Sequence, residues 1–292
     1  MVARDTLMSK TTSPRWIVLP PCRDFEFWKT ALFEMAAEKG LSIAYAGKQD
    51  KTTDLILTDN AQDALLHAVD LNHVIAIISQ AGPLSVEMEG EAPNPNRHPF
   101  TVRSTELNRR AYQDLQGRYI GTDAFLKGPV ALFDDLVMHR SDVDITSGSR
   151  RNRALQQAMD IYVKNEAIWP TDVLEIYARE IEAGPGLRRF DATGKPRFIA
   201  HGPYISMPPG QWQAVFKVEF DRALSNKTYR IDWGGVSEFQ EFVFKPEKAG
   251  LYEIKMDWTW EQSGPCEIRL AVMEGIFDGS FALHDIHVSR LA

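Results

Sequence analysis

Apolar and polar residues alternate strictly through the last third of the chain, from residue 198 onward. A period of two places every second side chain on the same face of a β-strand. Gly, Pro and Asn turns separate the alternating segments. The pattern predicts a sandwich of two antiparallel β-sheets over residues 191–292. Its predicted core face carries Trp212, Ala214, Phe216, Val218 and Phe220, then Tyr252, Ile254, Met256, Trp258 and Trp260, then Cys266, Ile268, Leu270 and Val272, and finally Ile286 and Val288.

The first hundred residues show a different pattern, in which short apolar runs alternate with helical periodicity. Strands are predicted at residues 16–19, 41–45, 55–58 and 73–78, and helices follow Asp24 and cover residues 61–69. Alternating strands and helices are typical of a parallel sheet. We therefore predict a Rossmann-like α/β domain over residues 15–103, after a flexible N-terminus at residues 1–14.

Residues 104–190 are expected to be mainly helical, because apolar residues recur there at helical spacing. The stripes are Leu155, Met159 and Tyr162, then Val173, Ile176 and Tyr177. Glycines and prolines are concentrated between residues 183 and 197, and we predict the main domain boundary there. The predicted fold class is a multidomain α+β protein with a Rossmann-like unit, a helical region and a C-terminal jelly roll.

Composition and charge narrow the classes of partner. The chain has 44% hydrophobic and 25% charged residues, as folded proteins do, and its net charge of −7 with scattered basic residues argues against a nucleic-acid partner. No stretch of eighteen apolar residues and no signal peptide is seen, so we expect synthesis in the cytoplasm and no membrane span, a pattern compatible with display on a released particle. Cys22 and Cys266 are expected to be buried thiols.

Catalytic and cofactor motifs are sparse. The loop after the first strand is Pro20-Pro21-Cys22-Arg23, where a dinucleotide site would have glycines, so no cofactor is predicted. Asp142-Val-Asp144 has the spacing of the metal and nucleotide motif of some glycosyltransferases, but such a tripeptide often occurs by chance and we interpret it as a solvated connection between helices. Asp135 and His139, four apart on a predicted helix, are interpreted as a surface pair. No catalytic residue and no metal ligand is assigned.

The faces of the predicted strands that point away from the core are polar throughout. Carboxylates, amides and guanidinium groups offer the paired hydrogen bonds that sugars need, and aromatic rings can cover their C–H faces. Because strands carry few exposed rings, the aromatic platform is expected in turns. The predicted carbohydrate-binding residues are the strand residues Lys217, Glu253, Lys255, Asp257, Arg269, Asp285 and His287, with Tyr204 and Trp233 in nearby turns.

Three segments of the last third carry a family resemblance. They are His201-Gly-Pro-Tyr-Ile-Ser-Met-Pro-Pro-Gly-Gln-Trp212, Lys248-Ala-Gly-Leu-Tyr-Glu-Ile254 and Leu283-His-Asp-Ile-His-Val-Ser-Arg290. Together they resemble the jelly-roll carbohydrate-binding modules of bacterial glycan-handling proteins. The resemblance implies a sandwich fold and a carbohydrate ligand, and it does not extend to the first two thirds of the chain.

Three functional hypotheses follow. The favoured one is a binding protein rather than an enzyme: the sandwich holds bacterial surface or extracellular polysaccharide, as an adhesin or spike shown in several copies on a larger assembly, a homo-oligomer or a virus-like particle. The second is a glycosyltransferase-like or accessory enzyme of polysaccharide synthesis. The third is a structural module that makes protein contacts only. Fold alone does not choose among them.

Overall fold

A computed structural model describes residues 13–22, 24–79, 97–125, 127–139, 150–184 and 187–291. These residues fall into two compact units. Residues 13–20, 24–79 and 110–139 form an α/β unit, and residues 21–22, 97–109 and 150–291 form a sandwich unit. The helices are α1 (Phe25–Glu38), α2 (Ala61–His67), α3 (Arg97–Gln113), α4 (Thr122–Phe125), α5 (Arg150–Ala158) and α6 (Ile161–Lys164).

The α/β unit is built on a parallel sheet. Its strands are β1 (Arg15–Val18), β2 (Ile43–Tyr45), β3 (Leu55–Thr58), β4 (Val74–Ile78) and β5 (Tyr119–Gly121), in the order β2-β3-β1-β4-β5. The central strand β1 is buried from Trp16 to Val18, as expected for a strand with both faces covered. A separate hairpin joins β6 (Val130–Phe133) to β7 (Leu136–Met138).

The four strands predicted in this region are present, with ends that differ by at most two residues. The order departs from the usual dinucleotide-binding arrangement, because β3 lies between β2 and β1. The Rossmann-like assignment therefore stays a prediction.

The sandwich unit holds two antiparallel sheets. Sheet I has the order β10-β11-β18-β13-β19-β8, and β16 pairs along the other side of β13. Sheet II has the order β15-β14-β17-β12-β9. The strands are β8 (Glu166–Trp169), β9 (Glu175–Ile176), β10 (Glu180–Gly184), β11 (Leu187–Asp191), β12 (Arg197–Met207), β13 (Gly210–Phe220), β14 (Tyr229–Gly235), β15 (Phe239–Phe244), β16 (Gly250–Trp260), β17 (Gly264–Val272), β18 (Ser280–His284) and β19 (Ile286–Arg290).

The core between the two sheets confirms most of the predicted apolar face. All five predicted residues of β13 are buried, as are Ile254, Met256 and Trp260 of β16 and the four of β17. Trp258 shares that side of its strand but is only half-buried. The ring of Trp233 packs against Trp169 and Trp260, with centroid distances of 5.9 and 5.2 Å.

The prediction of a mainly helical region over residues 104–190 is wrong beyond residue 164. β8 and β9 pair with β19 and β12, and β10 and β11 extend sheet I, so the described sandwich already begins at Glu166. The boundary predicted between residues 183 and 197 would cut through sheet I. Val173, Ile176 and Tyr177 have helical spacing in the sequence, but they do not lie on one helix. Val173 ends a 3-10 turn, Thr171–Val173, and Ile176 belongs to the two-residue strand β9.

No helix among the described residues is long and apolar enough to cross a membrane. Cys22 and Cys266 are both buried, as predicted, and neither is in a disulfide.

Candidate carbohydrate site

A shallow open groove of about 680 Å³ lies on the outer face of sheet I. It crosses four strands, β16, β13, β19 and β8, and reaches the turn before β19. Five of the nine predicted site residues line it. The lining is Lys217, Glu253, Lys255, Asp285 and His287, together with Gln213, Val215, Ser289 and Ile168.

The register of sheet I explains why these side chains meet. Lys255 is opposite Val215, Val215 is opposite His287, and His287 is opposite Ile168. These four residues form one row across four strands. Residues directly opposite each other in a pleated sheet point to the same side, so the row gives the groove a direction perpendicular to the strands.

The charges in the groove are paired loosely and remain in water. Glu253 lies between two lysines, with its carboxylate oxygens 3.7 Å from Lys217 Nζ and 3.4 Å from Lys255 Nζ. The side chains of Glu253 and Lys255 are 46% and 59% exposed. Exposed ion pairs of this kind add little to stability, and their polar atoms stay available to a ligand. With Asp285 included, the lining has two positive and two negative charges.

Asp285 is the most enclosed of the groove's acids. The backbone N–H of Thr171 donates to its Oδ1 at 3.3 Å. Burial, and then the negative charge of Asp172, raise the pKa of Asp285, while the Thr171 amide and His284 partly offset the rise. Burial therefore favours the protonated form of Asp285 more than in a solvated carboxyl, and that form can donate a hydrogen bond as well as accept one.

A second, smaller hollow of about 240 Å³ adjoins the groove across the edge strand β8. Ile168 and His287 line both, so the two spaces share a wall. His287 Nε2 lies 3.8 Å from a carboxylate oxygen of Glu166, and Lys164 Nζ lies 2.7 Å from Asp160. The polar surface therefore continues beyond the last strand of sheet I.

The other four predicted residues do not line the groove. Asp257 lies beside it on β16 and accepts a hydrogen bond from Gln213 at 2.9 Å. Arg269 lies on β17 and Tyr204 on β12, both in sheet II, so the predicted single surface is in fact two opposite faces. Trp233 is fully buried in β14 and is no loop aromatic. The prediction of Trp233 and Tyr204 as a turn platform is wrong, because both belong to strands and are buried.

The outer face of sheet II has its own row of ionisable side chains. Glu175, His201, Arg269, Asp232 and Glu241 stand directly opposite one another across β9, β12, β17, β14 and β15. We call them the sheet II row. Unlike the groove residues, most are withdrawn from water: the side chain of Asp232 is 1% exposed and that of His201 13%.

Hydrogen bonds and ion pairs connect the sheet II row to its neighbours. The Tyr204 hydroxyl donates to Glu267 Oε1 at 2.8 Å and lies 2.8 Å from His201 Nδ1. Glu267 in turn pairs with Arg269. Burial, followed by the hydrogen bond to Glu267, raises the pKa of Tyr204 well above its usual range. Tyr204 also has a φ of +64°, a left-handed conformation that a bulky residue rarely adopts.

Sequence reasoning did not select His201, Glu267 or Asp232 as site residues. The signals were present: Asp232 interrupts an apolar strand, and His201 lies in the segment that carries the resemblance. Asp142 and Asp144 lie outside the described residues. Asp135 and His139 are not on a helix, because the strand β7 lies between them, and Asp135 pairs with Arg15. Among the described residues no group of three or more metal-ligating side chains is found.

No protein-family model and no curated protein matches this sequence. Solved structures do match part of it, and they include the class that the sequence resembles. One is a CBM61 carbohydrate-binding module in complex with β-1,4-galactotriose, at 10% identity and a TM-score of 0.33, over 40% of this chain and 87% of that one. A second is the C-terminal CBM6 of a laminarinase from Zobellia galactanivorans, at 13% identity and a TM-score of 0.30, over 40% and 90%. A third is a family 35 module from Clostridium thermocellum, at 15% identity and a TM-score of 0.29, over 43% and 98%.

Proposed function

We propose that the chain binds an extended carbohydrate in the groove of sheet I, without transforming it. The observation that carries the proposal is that Lys217, Glu253, Lys255, Asp285 and His287 line one open groove. Their ammonium, carboxylate and imidazole groups can each bond sugar hydroxyls. The groove is open at its sides, so it suits a segment within a polysaccharide rather than a small enclosed ligand.

The balance of two positive and two negative charges favours a neutral polysaccharide over a strongly anionic one. The row of Lys255, Val215, His287 and Ile168 directs the polymer across the strands, from β16 over β13 and β19 to the edge strand β8. The hollow beyond β8 would bind further sugar units. The lining contains Val215 and Ile168 but no Phe, Tyr or Trp ring. Recognition would therefore rest on hydrogen bonds rather than on stacking.

A shallow groove buries little of each sugar, so we expect a single-site Kd in the micromolar to millimolar range. Useful attachment would then need several copies held together. The finer part of the proposal is an adhesin or spike that holds bacterial surface polysaccharide and is shown in several copies on an oligomer or a virus-like particle.

The first test is a glycan array with the intact protein, followed by calorimetry with the best ligand. Lys255→Ala should weaken binding about tenfold or more, because a charge-assisted hydrogen bond is worth about 1.5–3 kcal/mol. Lys245→Ala is the matched control, an exposed lysine outside the groove lining. If Lys255→Ala binds the ligand as tightly as Lys245→Ala does, the binding site lies elsewhere.

The glycosyltransferase alternative keeps one supporting observation, the parallel sheet of the α/β unit. Calorimetry with UDP and UDP-sugars separates it from the binding hypothesis. Micromolar binding of a UDP-sugar that Asp142→Ala abolishes would favour the enzyme, and its absence is the result we expect.

A further inference from the structure

The edge of sheet II carries an aromatic ring held in a fixed position. Tyr177 directly follows β9, and its backbone N–H donates to the carbonyl of Ile199 on β12 at 2.9 Å. Its ring stacks on the imidazole of His201, with centroids 5.0 Å apart and planes 30° apart. The Tyr177 hydroxyl is also hydrogen-bonded to His201 Nε2. Even so, half of the residue, 50%, is exposed.

The hydrogen bonds beneath the ring can all be made when His201 is a neutral imidazole. A phenol has one hydrogen, and the Tyr204 hydroxyl donates it to the carboxylate of Glu267. Its oxygen can then accept from His201 Nδ1–H, which leaves Nε2 of the neutral imidazole to accept from Tyr177. The chain Tyr177, His201, Tyr204, Glu267 thus orients the exposed ring. Little conformational entropy is lost when such a ring binds a ligand.

A paired acid and base lie beside the exposed ring. Arg151 on α5 approaches Glu175 on β9, with an N–O distance of 3.2 Å. Their side chains are 28% and 15% exposed, so each keeps atoms at the surface. Burial, and then the charge of Glu175, raise the pKa of Tyr177, while Arg151 acts in the opposite sense. The Tyr177 hydroxyl therefore stays protonated at neutral pH.

An exposed ring next to a carboxylate and a guanidinium group is the combination that sugars need, and the lining of the groove in sheet I has no Phe, Tyr or Trp. The charged side chains of the sheet II row lose water when the protein folds, and this loss costs free energy. Apolar side chains, or charged side chains left in water, would not carry that cost. A left-handed Tyr204 within the same network is a further conformational cost, of the kind that is concentrated at functional sites.

We propose that Tyr177, Arg151 and Glu175 form a second sugar-binding site, in which a neutral sugar ring stacks on Tyr177 and its hydroxyls bond Arg151 and Glu175. The inference extends the proposed function from one carbohydrate site to two. The sites lie on the outer faces of opposite sheets, so each takes its own stretch of ligand. One molecule then holds two polysaccharide strands at once.

Footprinting of the intact protein tests this site separately from the groove. The probes are the methyl glycosides of glucose, galactose and mannose, each up to about 10 mM, a concentration above the Kd of a weak single site. Hydroxyl-radical oxidation of Tyr177 and acetylation of Lys217 and Lys255 are both read by mass spectrometry. Dissolved sugar also consumes radicals, so the oxidation of Tyr177 is compared with that of the other exposed aromatic residues of the chain. At least one glycoside should slow the oxidation of Tyr177 more than theirs, and it should do so equally in wild type and in the Lys217→Ala/Lys255→Ala variant.

Two substitutions give the matched comparison, measured by calorimetry with the protecting glycoside in the Lys217→Ala/Lys255→Ala background. Tyr177→Ala should weaken binding about tenfold, whereas Tyr177→Phe, which keeps the ring, should bind within about threefold of the Tyr177 protein. Neither should lower the Tm much, because Tyr177 is half-exposed. Unchanged oxidation of Tyr177 with every glycoside, or protection that disappears in the double lysine variant, would overturn the second site. Protection of Tyr177 without protection of either lysine would support the second site independently of the groove, which is tested with polysaccharide.

Discussion

Sheet I and sheet II present charged side chains on their outer faces in very different surroundings. In the groove, Glu253 is 46% exposed and lies between two exposed lysines. On the opposite face, Glu267 is 8% exposed and is bonded to Tyr204 and Arg269. Both glutamates occupy polar positions of strands in which apolar and polar residues alternate, so the sequence pattern alone makes them equivalent. The difference shows that burial depends on what neighbouring strands place beside a polar residue.

The comparison also separates two roles. The charged groups of the groove reduce the stability of the fold little, because they stay in water. Their water molecules can be replaced by the hydroxyl groups of a ligand. Most of the charges of the sheet II row are already bonded to protein groups, so their first effect is to fix one another and to orient Tyr177. A ligand meets a solvated surface on sheet I and a pre-ordered one on sheet II.

The largest effect is expected at the core that both faces share. Trp233→Ala should destabilise the sandwich by about 3–5 kcal/mol, because it removes a fully buried ring that packs on Trp169 and Trp260. Chemical denaturation measures the loss. Trp258→Ala, at a half-buried position, should cost clearly less. If Trp233→Ala has wild-type stability but binds glycan more weakly, Trp233 belongs to the ligand site and not to the core.

The next largest effect distinguishes the two glutamates. Glu267→Ala should cost about 2–3 kcal/mol, because Arg269 loses its nearest carboxylate and the Tyr204 hydroxyl loses its acceptor in a largely buried setting. The cost stays below that of a fully buried ion pair because Arg269 is 18% exposed and keeps Asp232 nearby. Glu253→Ala should cost no more than about 1 kcal/mol, as is usual for exposed pairs. Urea unfolding of both variants gives the two values. Equal costs would mean that the two faces do not differ in the way described above.

The smallest effect is a pH dependence that arises on sheet II. Burial raises the pKa of Asp232, although Arg230 and Arg269 act against the rise. A carboxyl with a raised pKa binds its proton more tightly in the folded state. Its contribution to stability is therefore complete below its unfolded pKa of about 3.9 and is lost as the pH rises through the folded pKa.

The Asp232→Asn variant isolates this contribution, because Asp285, whose pKa is also raised, is retained in both proteins. Between about pH 4 and neutral pH, wild type should lose free energy of unfolding relative to Asp232→Asn. Denaturant titrations across that range measure the difference. A difference that stays constant with pH, or that changes in the opposite direction, would show that the pKa of Asp232 is not raised.

Period-two alternation predicted the core of the sandwich well, because the side of a strand on which a residue lies depends only on its position along that strand. It could not predict which strands share a sheet. For that reason the pattern predicts one surface for Lys217 and Arg269, which in the structure lie on opposite faces of the sandwich. Pairing depends on contacts between distant segments, which no local pattern records.

Short elements and glycines account for the other errors. β8 and β9 have four and two residues, too few to show alternation. Trp233 precedes two glycines that resemble a turn, but Gly234 lies within β14. A Cβ there would lie 2.6 Å from the Cα of Phe239, so that glycine marks the close approach of two strands rather than a loop.

The most direct test of carbohydrate binding on sheet I is the crystal structure of the protein with the oligosaccharide selected by the array. We predict sugar density in the groove, within hydrogen-bonding distance of Lys255 and His287, with the oligosaccharide running across β16, β13 and β19. An oligosaccharide bound elsewhere on the chain, with the groove empty at saturating ligand, would contradict the proposed function.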